Sequence, residues 1–256
     1  MNSYLRNLKQ TIMILTIDVG NTRIKGAVFE GDNLIEYFVF SKTEIEKNIQ
    51  KILKDFSNIT DLVVASVGNI EKQLFLNFQN CVKVHLISHQ DVFPFINEYE
   101  TPLTLGIDRM VLASGAVLAY PQQNRLVIDA GTCITYDFID SDNNYRGGAI
   151  SPGIRLRYEA LHNYTAKLPL LTFEEPQDFI GKSTAKAIHS GVVNGVVHEI
   201  DGFIDQYREL YPKFTIILTG GDTVFLAKRL KNTIFANSNF LLQSLNHTFQ
   251  YTITND

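Results

Sequence analysis

Apolar and turn-forming residues alternate along the first half of the chain in an order that predicts strands and helices. Three β-rich apolar runs come first, and the turn residues Gly31-Asp32-Asn33 separate the second run from the third. An apolar helical face follows, with Ile45, Ile49, Ile52, Leu53 and Phe56 at i, i+4, i+7, i+8 and i+11. We predict strands at 12–17, 24–29 and 34–40, a helix at 41–56, a strand at 61–67, a short helix at 71–80, a strand at 82–88 and a helix at 106–120.

The second half of the chain begins the same order again. It predicts strands at 125–128, 133–139 and 145–150, helices at 154–164 and 184–210, a strand at 214–218 and a helix at 224–230. In both halves an aspartate and a glycine turn end the first strand: Asp18-Val19-Gly20-Asn21-Thr22 and, 111 positions later, Asp129-Ala130-Gly131-Thr132-Cys133. A β-rich strand follows each turn. The repetition indicates an internal duplication of one strand-turn-strand unit.

The composition argues against several classes of protein. The 256 residues are 45% hydrophobic, which is enough for one large core or two modest ones. The net charge of −4 comes without the basic stripe of a nucleic-acid-binding protein. No run approaches the ~18 apolar residues of a membrane span, and two cysteines are too few for a disulfide framework or a zinc site. We therefore expect a soluble cytoplasmic protein that binds neither nucleic acid nor membranes.

The two glycine turns have two interpretations. Each is an ordinary β-hairpin connection if taken alone, since asparagine and glycine are common turn residues. Successive backbone N–H groups in such a turn can also form an anion-binding concavity, in which glycine lets a phosphate approach the chain. An aspartate at the end of the preceding strand can then hold Mg²⁺ through oxygen or water. One copy favours the hairpin, but two copies at equivalent positions favour phosphate binding.

Two further stretches place polar residues where a helix begins. Gly220-Gly221-Asp222 follows the strand at 214–218, and it is either an ordinary strand-to-helix turn or a place where backbone packs against a nucleotide base or ribose. Asp108 and Arg109 begin the helix at 106–120. Asp108 is either a solvated helix cap or a carboxylate aimed at a substrate hydroxyl, with Arg109 beside it for an anion.

These stretches, taken together and in order, resemble one family of enzymes. Six segments carry the resemblance: DVGNTRIK at 18–25, YETPLTLGIDR at 99–109, DAGTCITYD at 129–137, GGAISPGIRLRYEALHNYTAKLP at 147–169, GKST at 181–184 with AIHSGVVNGVVHEIDGFI after it, and ILTGGD at 217–222. The chain resembles the type III pantothenate kinases, the bacterial first enzyme of coenzyme A synthesis. Each segment alone is only moderately specific for this family. All six in this order, over nearly the whole chain, are highly specific for it.

The resemblance implies a fold and an activity. The fold would be α/β, with two ribonuclease-H-like (actin-like ATPase) domains, mixed sheets flanked by helices, and a nucleotide in the interdomain cleft. Residues 1–118 would form the domain with the first phosphate turn and the catalytic aspartate, and residues 119–256 the domain with the second turn and the adenosine and pantothenate contacts. The activity would be the ATP-dependent phosphorylation of the primary hydroxyl of pantothenate to 4′-phosphopantothenate.

The resemblance also implies roles for individual residues. The first phosphate loop would comprise Asp18, Val19, Gly20, Asn21, Thr22, Arg23, Ile24 and Lys25, with Asp18 near Mg²⁺. ATP would also contact Thr132, Gly220 and Gly221. Pantothenate would contact Tyr99, Gly106, Ile107, Asp108, Arg109 and Thr184, with Asp108 as the catalytic base. Asp129 would help to bind the monovalent cation, potassium or ammonium, that the family requires.

Members of this family are homodimers whose site is completed at the subunit interface, so the resemblance also implies a homodimer. At its ordinary pKa near ~3.9, Asp108 would be a weak base at pH 7, which suits a late removal of the hydroxyl proton. Arg109 would pair either with the substrate carboxylate or with the moving phosphoryl group. Gln243-Ser244-Leu245 stands where the family has Gly-Leu, so we expect the end of that segment to pack differently.

Two other classes of protein share part of this pattern. A sugar or N-acetylhexosamine kinase would keep both glycine turns, but such chains are generally longer, and many carry a Cys/His zinc motif that this sequence does not contain. A non-catalytic regulator or an actin-like assembly protein would keep the fold and lose the base. Asp18, Asp108 and Asp129 are all present, which favours a kinase.

Overall fold

The computed structural model describes residues 13–20, 23–66 and 72–255. Its strands are β1 (Met13–Val19), β2 (Ile24–Glu30), β3 (Asn33–Phe40), β4 (Ile59–Ser66), β5 (Lys83–Leu86), β6 (Ile96–Asn97), β7 (Arg125–Ala130), β8 (Cys133–Ile139), β9 (Asn144–Pro152), β10 (Thr215–Thr219) and β11 (Phe235–Ala236). Its α-helices are α1 (Ile45–Asp55), α2 (Lys72–Leu76), α3 (Ile107–Ala119), α4 (Ile154–Asn163), α5 (Thr184–Leu210), α6 (Thr223–Ala227) and α7 (Phe240–Asn255). No helix in these ranges is both long and apolar enough to cross a membrane.

The strands form two sheets that share one topology. The first has the order β3-β2-β1-β4-β5, in which β1 to β3 are antiparallel neighbours and β4 and β5 run parallel to β1. The second has the order β11-β10-β7-β8-β9, with the same directions, and β6 is added beside β9. Each sheet is therefore a ribonuclease-H-like unit, and the predicted duplication is confirmed.

The registers of the two sheets place Asp18 and Asp129 at equivalent positions. Asp18 lies opposite Lys25 across the β1–β2 hairpin, one residue before the end of β1. Asp129 lies opposite Thr135 across the β7–β8 hairpin, again one residue before the strand ends. Because successive residues of a strand alternate between its faces, the matching register gives both aspartates the same relation to their sheets.

Each sheet packs one face on its own helices. On the first sheet, Leu15 and Ile17 share a core with Ile49 of α1. On the second, Leu126 shares a core with Val196 of α5. The alternation of residues along β1 and β7 therefore leaves the other face of each sheet, which carries Asp18 or Asp129, directed away from these outer helices.

The inner faces of the two sheets meet around α3 and α7. One continuous apolar core joins these helices to Val63 of the first sheet and Ile217 of the second. Ten of the thirteen residues of α3 are buried, because this helix is surrounded by protein on all sides. The start of α3 is consequently fixed between the two sheets.

The last helix returns to the first sheet. Leu242 of α7 packs against Ala27 and Phe29 of β2, although α7 lies within residues 119–256 of the expected second domain. The first sheet is thus covered partly by the end of the chain. The division into residues 1–118 and 119–256 stays a prediction.

The predicted strands and helices are found with shifted ends, but the sequence did not predict α7. Its buried set includes Ser244, Asn246, Thr248 and Thr252, which interrupt the apolar spacing on which the helix predictions rested. Threonine and asparagine are also weak helix formers, so local preference gave little signal. The helix α7 is stabilised by its packing between α3 and the first sheet, rather than by the helix preference of its own residues.

Gly115 and Ser244 set the closest approach of α3 and α7. A Cβ atom added at Gly115 would lie 1.9 Å from Ser244 Oγ and 2.9 Å from Ser244 Cα, so only glycine allows the helices to come this near. Ser244, in the segment that departs from the family pattern, is completely buried there, and its hydroxyl has no hydrogen-bond partner.

Replacing Gly115 by alanine is expected to destabilise the protein by about 1–3 kcal/mol, because the helices must separate. Urea or thermal unfolding measures the change. Gly202→Ala in α5 is the matched control, since a Cβ there meets nothing within 4 Å, and alanine gains helix propensity worth about 0.5–1 kcal/mol. Equal stabilities for Gly115→Ala and the wild type would show that α3 and α7 are not packed this closely.

Candidate active site

A cleft of about 570 Å³ lies where the glycine turns of both sheets and the start of α3 come together. Twelve of the residues assigned from the family resemblance line it: Asp18, Gly20, Arg23, Lys25, Tyr99, Gly106, Asp108, Arg109, Asp129, Thr132, Gly220 and Gly221. These residues come from four of the six segments that carry the resemblance. The fold thus brings the two glycine turns, where phosphate binding is expected, and the expected pantothenate contacts to one place.

The remaining assigned residues lie elsewhere. Val19 and Ile24 are completely buried in the core shared with α1, so only their backbone flanks the first turn. Ile107 is part of the central core. Thr184 is exposed at the first residue of α5 and does not line the cleft of its own chain. Asn21 and Thr22 lie outside the described residues.

The two strand-end aspartates carry unusual electrostatics. Asp18 is only 6% exposed and Asp129 is partly exposed to the cleft. Burial raises the pKa of both carboxyls from 3.8 to about 7, which the neighbouring Lys25 ammonium opposes. The negative charge of Asp108 reinforces the rise of both pKa values, which places it within electrostatic reach of the two strand ends. Folding therefore brings three carboxyl groups close together, and a bound cation would compensate their negative charge.

The turn between β10 and α6 lies directly against Asp129. Gly220 has φ near +100°, a conformation that favours glycine. An added Cβ would lie 2.4 Å from Asp129 Oδ1 and 2.3 Å from the Ala130 carbonyl oxygen. The backbone N–H of Asp222 donates to that same carbonyl at 3.0 Å. Glycine at this position is thus required by close approach to the second glycine turn.

The second turn is itself supported by the start of α4. The Gly153 N–H donates to the Thr132 carbonyl at 3.0 Å, and a Cβ at Gly153 would meet the Gly131 oxygen at 2.2 Å. Within the turn, the Gly131 N–H donates to the Cys133 carbonyl at 2.9 Å. The turn is therefore held by backbone on both sides, with Thr132 in the lining of the cleft.

Asp108 lies in the first turn of α3, above Gly106. Its Oδ1 accepts the Arg109 backbone N–H at 2.8 Å and would lie only 2.4 Å from a Cβ added at Gly106. Burial raises the pKa of the Asp108 carboxyl, although the hydrogen bond from Arg109 opposes the rise. The expectation of an ordinary pKa was therefore wrong, and a raised pKa makes this carboxylate a better proton acceptor at neutral pH.

Arg109 is held by Asp137, a residue for which the sequence suggested no role. Its Nε and Nη2 donate to Asp137 Oδ1 at 2.8 and 2.7 Å. Burial works to lower the pKa of Arg109, but the Asp137 carboxylate outweighs it and raises that pKa, so the guanidinium stays charged. The signal that could have revealed Asp137 is a lone carboxylate within the otherwise apolar end of β8.

The donors in the cleft fit hard cations. Carboxylate oxygens are the ligands that Mg²⁺ prefers, and protein sites for Mg²⁺ commonly supply one or two of them beside phosphates and water. Asp18 and Asp129 provide two such groups, whose buried charge a cation would compensate. In the part of the chain that the structure describes, no three acidic, histidine or cysteine side chains form a complete metal cluster.

Comparisons with known proteins agree with this geometry. A model of the type III pantothenate kinase family matches residues 14–206. A type III pantothenate kinase from Flavobacterium johnsoniae is 70% identical over 244 residues, covering 95% of this chain and 100% of that protein. In fold alone, a Baf family protein from Campylobacter jejuni has a TM-score of 0.61 at 22% identity, covering 94% of this chain and 99% of that one. A glucokinase of the ROK family from Streptomyces griseus has a TM-score of 0.51 at 11% identity, covering 91% and 98%.

The two sheets and the cleft between them define the actin-like ATPase fold, built from two ribonuclease-H-like units. The chain belongs to the type III pantothenate kinase family. The family resemblance and the fold class expected from the sequence segments are thereby confirmed.

Replacing Asp18 by asparagine is expected to stabilise the ligand-free protein at pH 8. The raised pKa of Asp18, about 7 against 3.8, means that the folded state keeps a proton that the unfolded state loses. The contribution of the Asp18 carboxyl to the free energy of unfolding is fully present below pH 3.8. It decreases as the pH rises toward 7 and is absent above that pH. The gain at pH 8 should be on the order of 4 kcal/mol.

Thermal or urea unfolding at pH 5 and pH 8 measures this effect, which should be smaller at pH 5. Asp205→Asn, at an exposed carboxylate of α5, is the control and should not reproduce the gain expected for Asp18→Asn at pH 8. If Asp18→Asn shows no pH-dependent gain over the wild type, the Asp18 carboxyl is not held in an environment that opposes its charge.

Proposed function

We propose that this chain transfers the γ-phosphoryl group of ATP to the primary hydroxyl of pantothenate. The product would be 4′-phosphopantothenate, and the reaction is the first step of coenzyme A biosynthesis. The observation that carries the proposal is the meeting, in one cleft, of both phosphate turns with Tyr99, Asp108 and Arg109. Family membership over residues 14–206 supports the choice of acceptor.

The donor nucleotide would occupy the cleft and a neighbouring apolar pocket. That pocket, of about 450 Å³, shares Arg155 and Asp222 with the cleft and is lined by Tyr158, Leu171 and Phe173. A purine base fits an apolar pocket with a few polar groups at its rim. The phosphates would then lie against the two turns beside Lys25, which matches the roles expected for Thr132, Gly220 and Gly221.

Asp108 would act as the base toward the acceptor hydroxyl. Phosphoryl transfer passes through a loose transition state, so positioning and charge compensation contribute most of the catalysis. Asp108 would accept a hydrogen bond from the hydroxyl and take its proton late. Its place at the rigid start of α3 keeps the carboxylate oriented without the acceptor.

Two cations would complete the charge balance. We place Mg²⁺ beside Asp18 and the monovalent cation, potassium or ammonium, beside Asp129, whose oxygen atoms suit both. When bound, Mg²⁺ would compensate the negative charge of the phosphates. Lys25 would act at the same end of the cleft, since its charge opposes the rise in pKa of both aspartates.

Thr184 would reach pantothenate only from a second copy of the chain. It is exposed at the start of α5 and is absent from the lining of its own cleft. A contact between Thr184 and the acceptor is therefore consistent with a homodimer in which α5 of one protomer closes the site of the other.

ADP release with different acceptors tests the proposed function. The purified protein is expected to release ADP from ATP with pantothenate, and more of it with potassium present, but not with glucose or N-acetylmannosamine. Release with sugars alone would make the chain a sugar kinase. If none of the tested acceptors leads to ADP release, a non-catalytic protein of the same fold would be favoured.

Replacing Asp108 by asparagine is expected to lower kcat by ~10² or more while the protein stays folded, because the amide cannot accept the hydroxyl proton. The same ADP assay gives kcat, and the melting temperature checks folding. Asp205→Asn, at a residue that does not line the cleft, should keep wild-type kcat. A folded Asp108→Asn protein with near-normal kcat would remove Asp108 from the role of base.

A further inference from the structure

A buried polar cluster lies behind the acceptor side of the cleft. We define it as Arg109 of α3, Asp137 and Thr135 of β8, and Tyr145 of β9. Asp137 Oδ1 accepts from Arg109 and from the Tyr145 hydroxyl at 2.5 Å, and Asp137 Oδ2 accepts from Thr135 Oγ1 at 3.1 Å. The cluster joins the helix that carries the catalytic base to two strands of the second sheet.

The members that make the strongest contacts are withdrawn from solvent. Asp137 and Tyr145 are 0% exposed and Arg109 is 5% exposed. A buried ion pair is retained only with good geometry and additional hydrogen bonds, because removal of either charge from water is expensive. Here one carboxylate oxygen receives two guanidinium N–H groups and a hydroxyl. This arrangement fixes the plane of the guanidinium as well as its position.

The fixed guanidinium still takes part in the cleft. Arg109 is one of the lining residues, and its Cζ lies 5.8 Å from the centre of the Tyr99 ring, which also lines the cleft. Two of its nitrogen atoms, Nε and Nη2, are committed to Asp137. The orientation of the remaining donor group is therefore set by Asp137 and Tyr145 rather than by the ligand.

We propose that Asp137 and Tyr145 are positioning residues that orient Arg109 for the anionic group of the acceptor. The inference rests on the proposed function, since it takes pantothenate as that acceptor. A guanidinium oriented in advance loses less freedom when it binds a carboxylate, so the pair acts on acceptor affinity. Loss of this orientation should raise KM for pantothenate and leave both kcat and KM for ATP nearly unchanged.

Tyr145→Phe is the sharpest test, because it removes one hydroxyl and keeps the ion pair. KM for pantothenate should rise about tenfold, while kcat and KM for ATP stay within about twofold. Tyr136→Phe is the matched control: Tyr136 is also 0% exposed, lies on β8, and donates its hydroxyl to another carboxylate, Glu199, at 3.0 Å. It should leave all three constants unchanged.

Asp137→Asn is a second variant, which leaves Arg109 without its counter-charge and should raise KM for pantothenate further than Tyr145→Phe if it folds. If it does not fold, Tyr145→Phe decides alone. The proposal is overturned if folded Tyr145→Phe keeps the wild-type KM for pantothenate, or if it changes kcat or KM for ATP by the same factor. A wild-type protein that shows no activity with pantothenate would instead overturn the proposed function and this inference with it.

Discussion

The burial of two carboxylates at the ends of equivalent strands is the constraint around which the rest of the molecule is arranged. Asp18 and Asp129 both have a pKa near 7 because folding removes them from water. This environment opposes their charge and so works against stability above neutral pH. The surrounding glycine turns and Lys25 make the arrangement suitable for phosphates and cations, which would restore the missing charge balance. Under the proposed function, the stability that the free protein loses here would be regained when a charged donor and its cations bind.

The central helices α3 and α7 fix the positions of Asp108 and Arg109. Gly115 and Ser244 allow α3 and α7 to pack in close contact, and one continuous core joins them to both sheets. The start of α3 therefore has little freedom, and it carries Asp108 and Arg109 into the cleft. Asp137 adds a direct ionic connection from Arg109 to the second sheet. The positions of Asp108 and Arg109 are consequently fixed from both the central helices and the second sheet.

The sequence predicted those strands and helices whose signal comes from residues that are close together in the chain. The repeated strand-turn-strand unit around Asp18 and Asp129 was visible because an alternating strand and its turn are neighbours in sequence. The helix α7 was not predicted, because Ser244 and Asn246 are buried by contacts with distant parts of the chain. The same holds for Asp137, whose partner Arg109 lies 28 positions away. Raised pKa values arise from burial and from charges that folding brings close together, so an ordinary pKa was expected from sequence alone.

A direct measurement of the two strand-end pKa values tests this account most closely. Carbon-detected NMR of the protein with ¹³C-labelled aspartate follows each carboxyl through a pH titration, and Asp18→Asn and Asp129→Asn assign the two signals. Both groups should titrate near pH 7 in the ligand-free protein, and both pKa values should fall when Mg²⁺ and ATP are added. Titration of both groups near the ordinary value of 3.8, with no response to Mg²⁺ and ATP, would contradict the account.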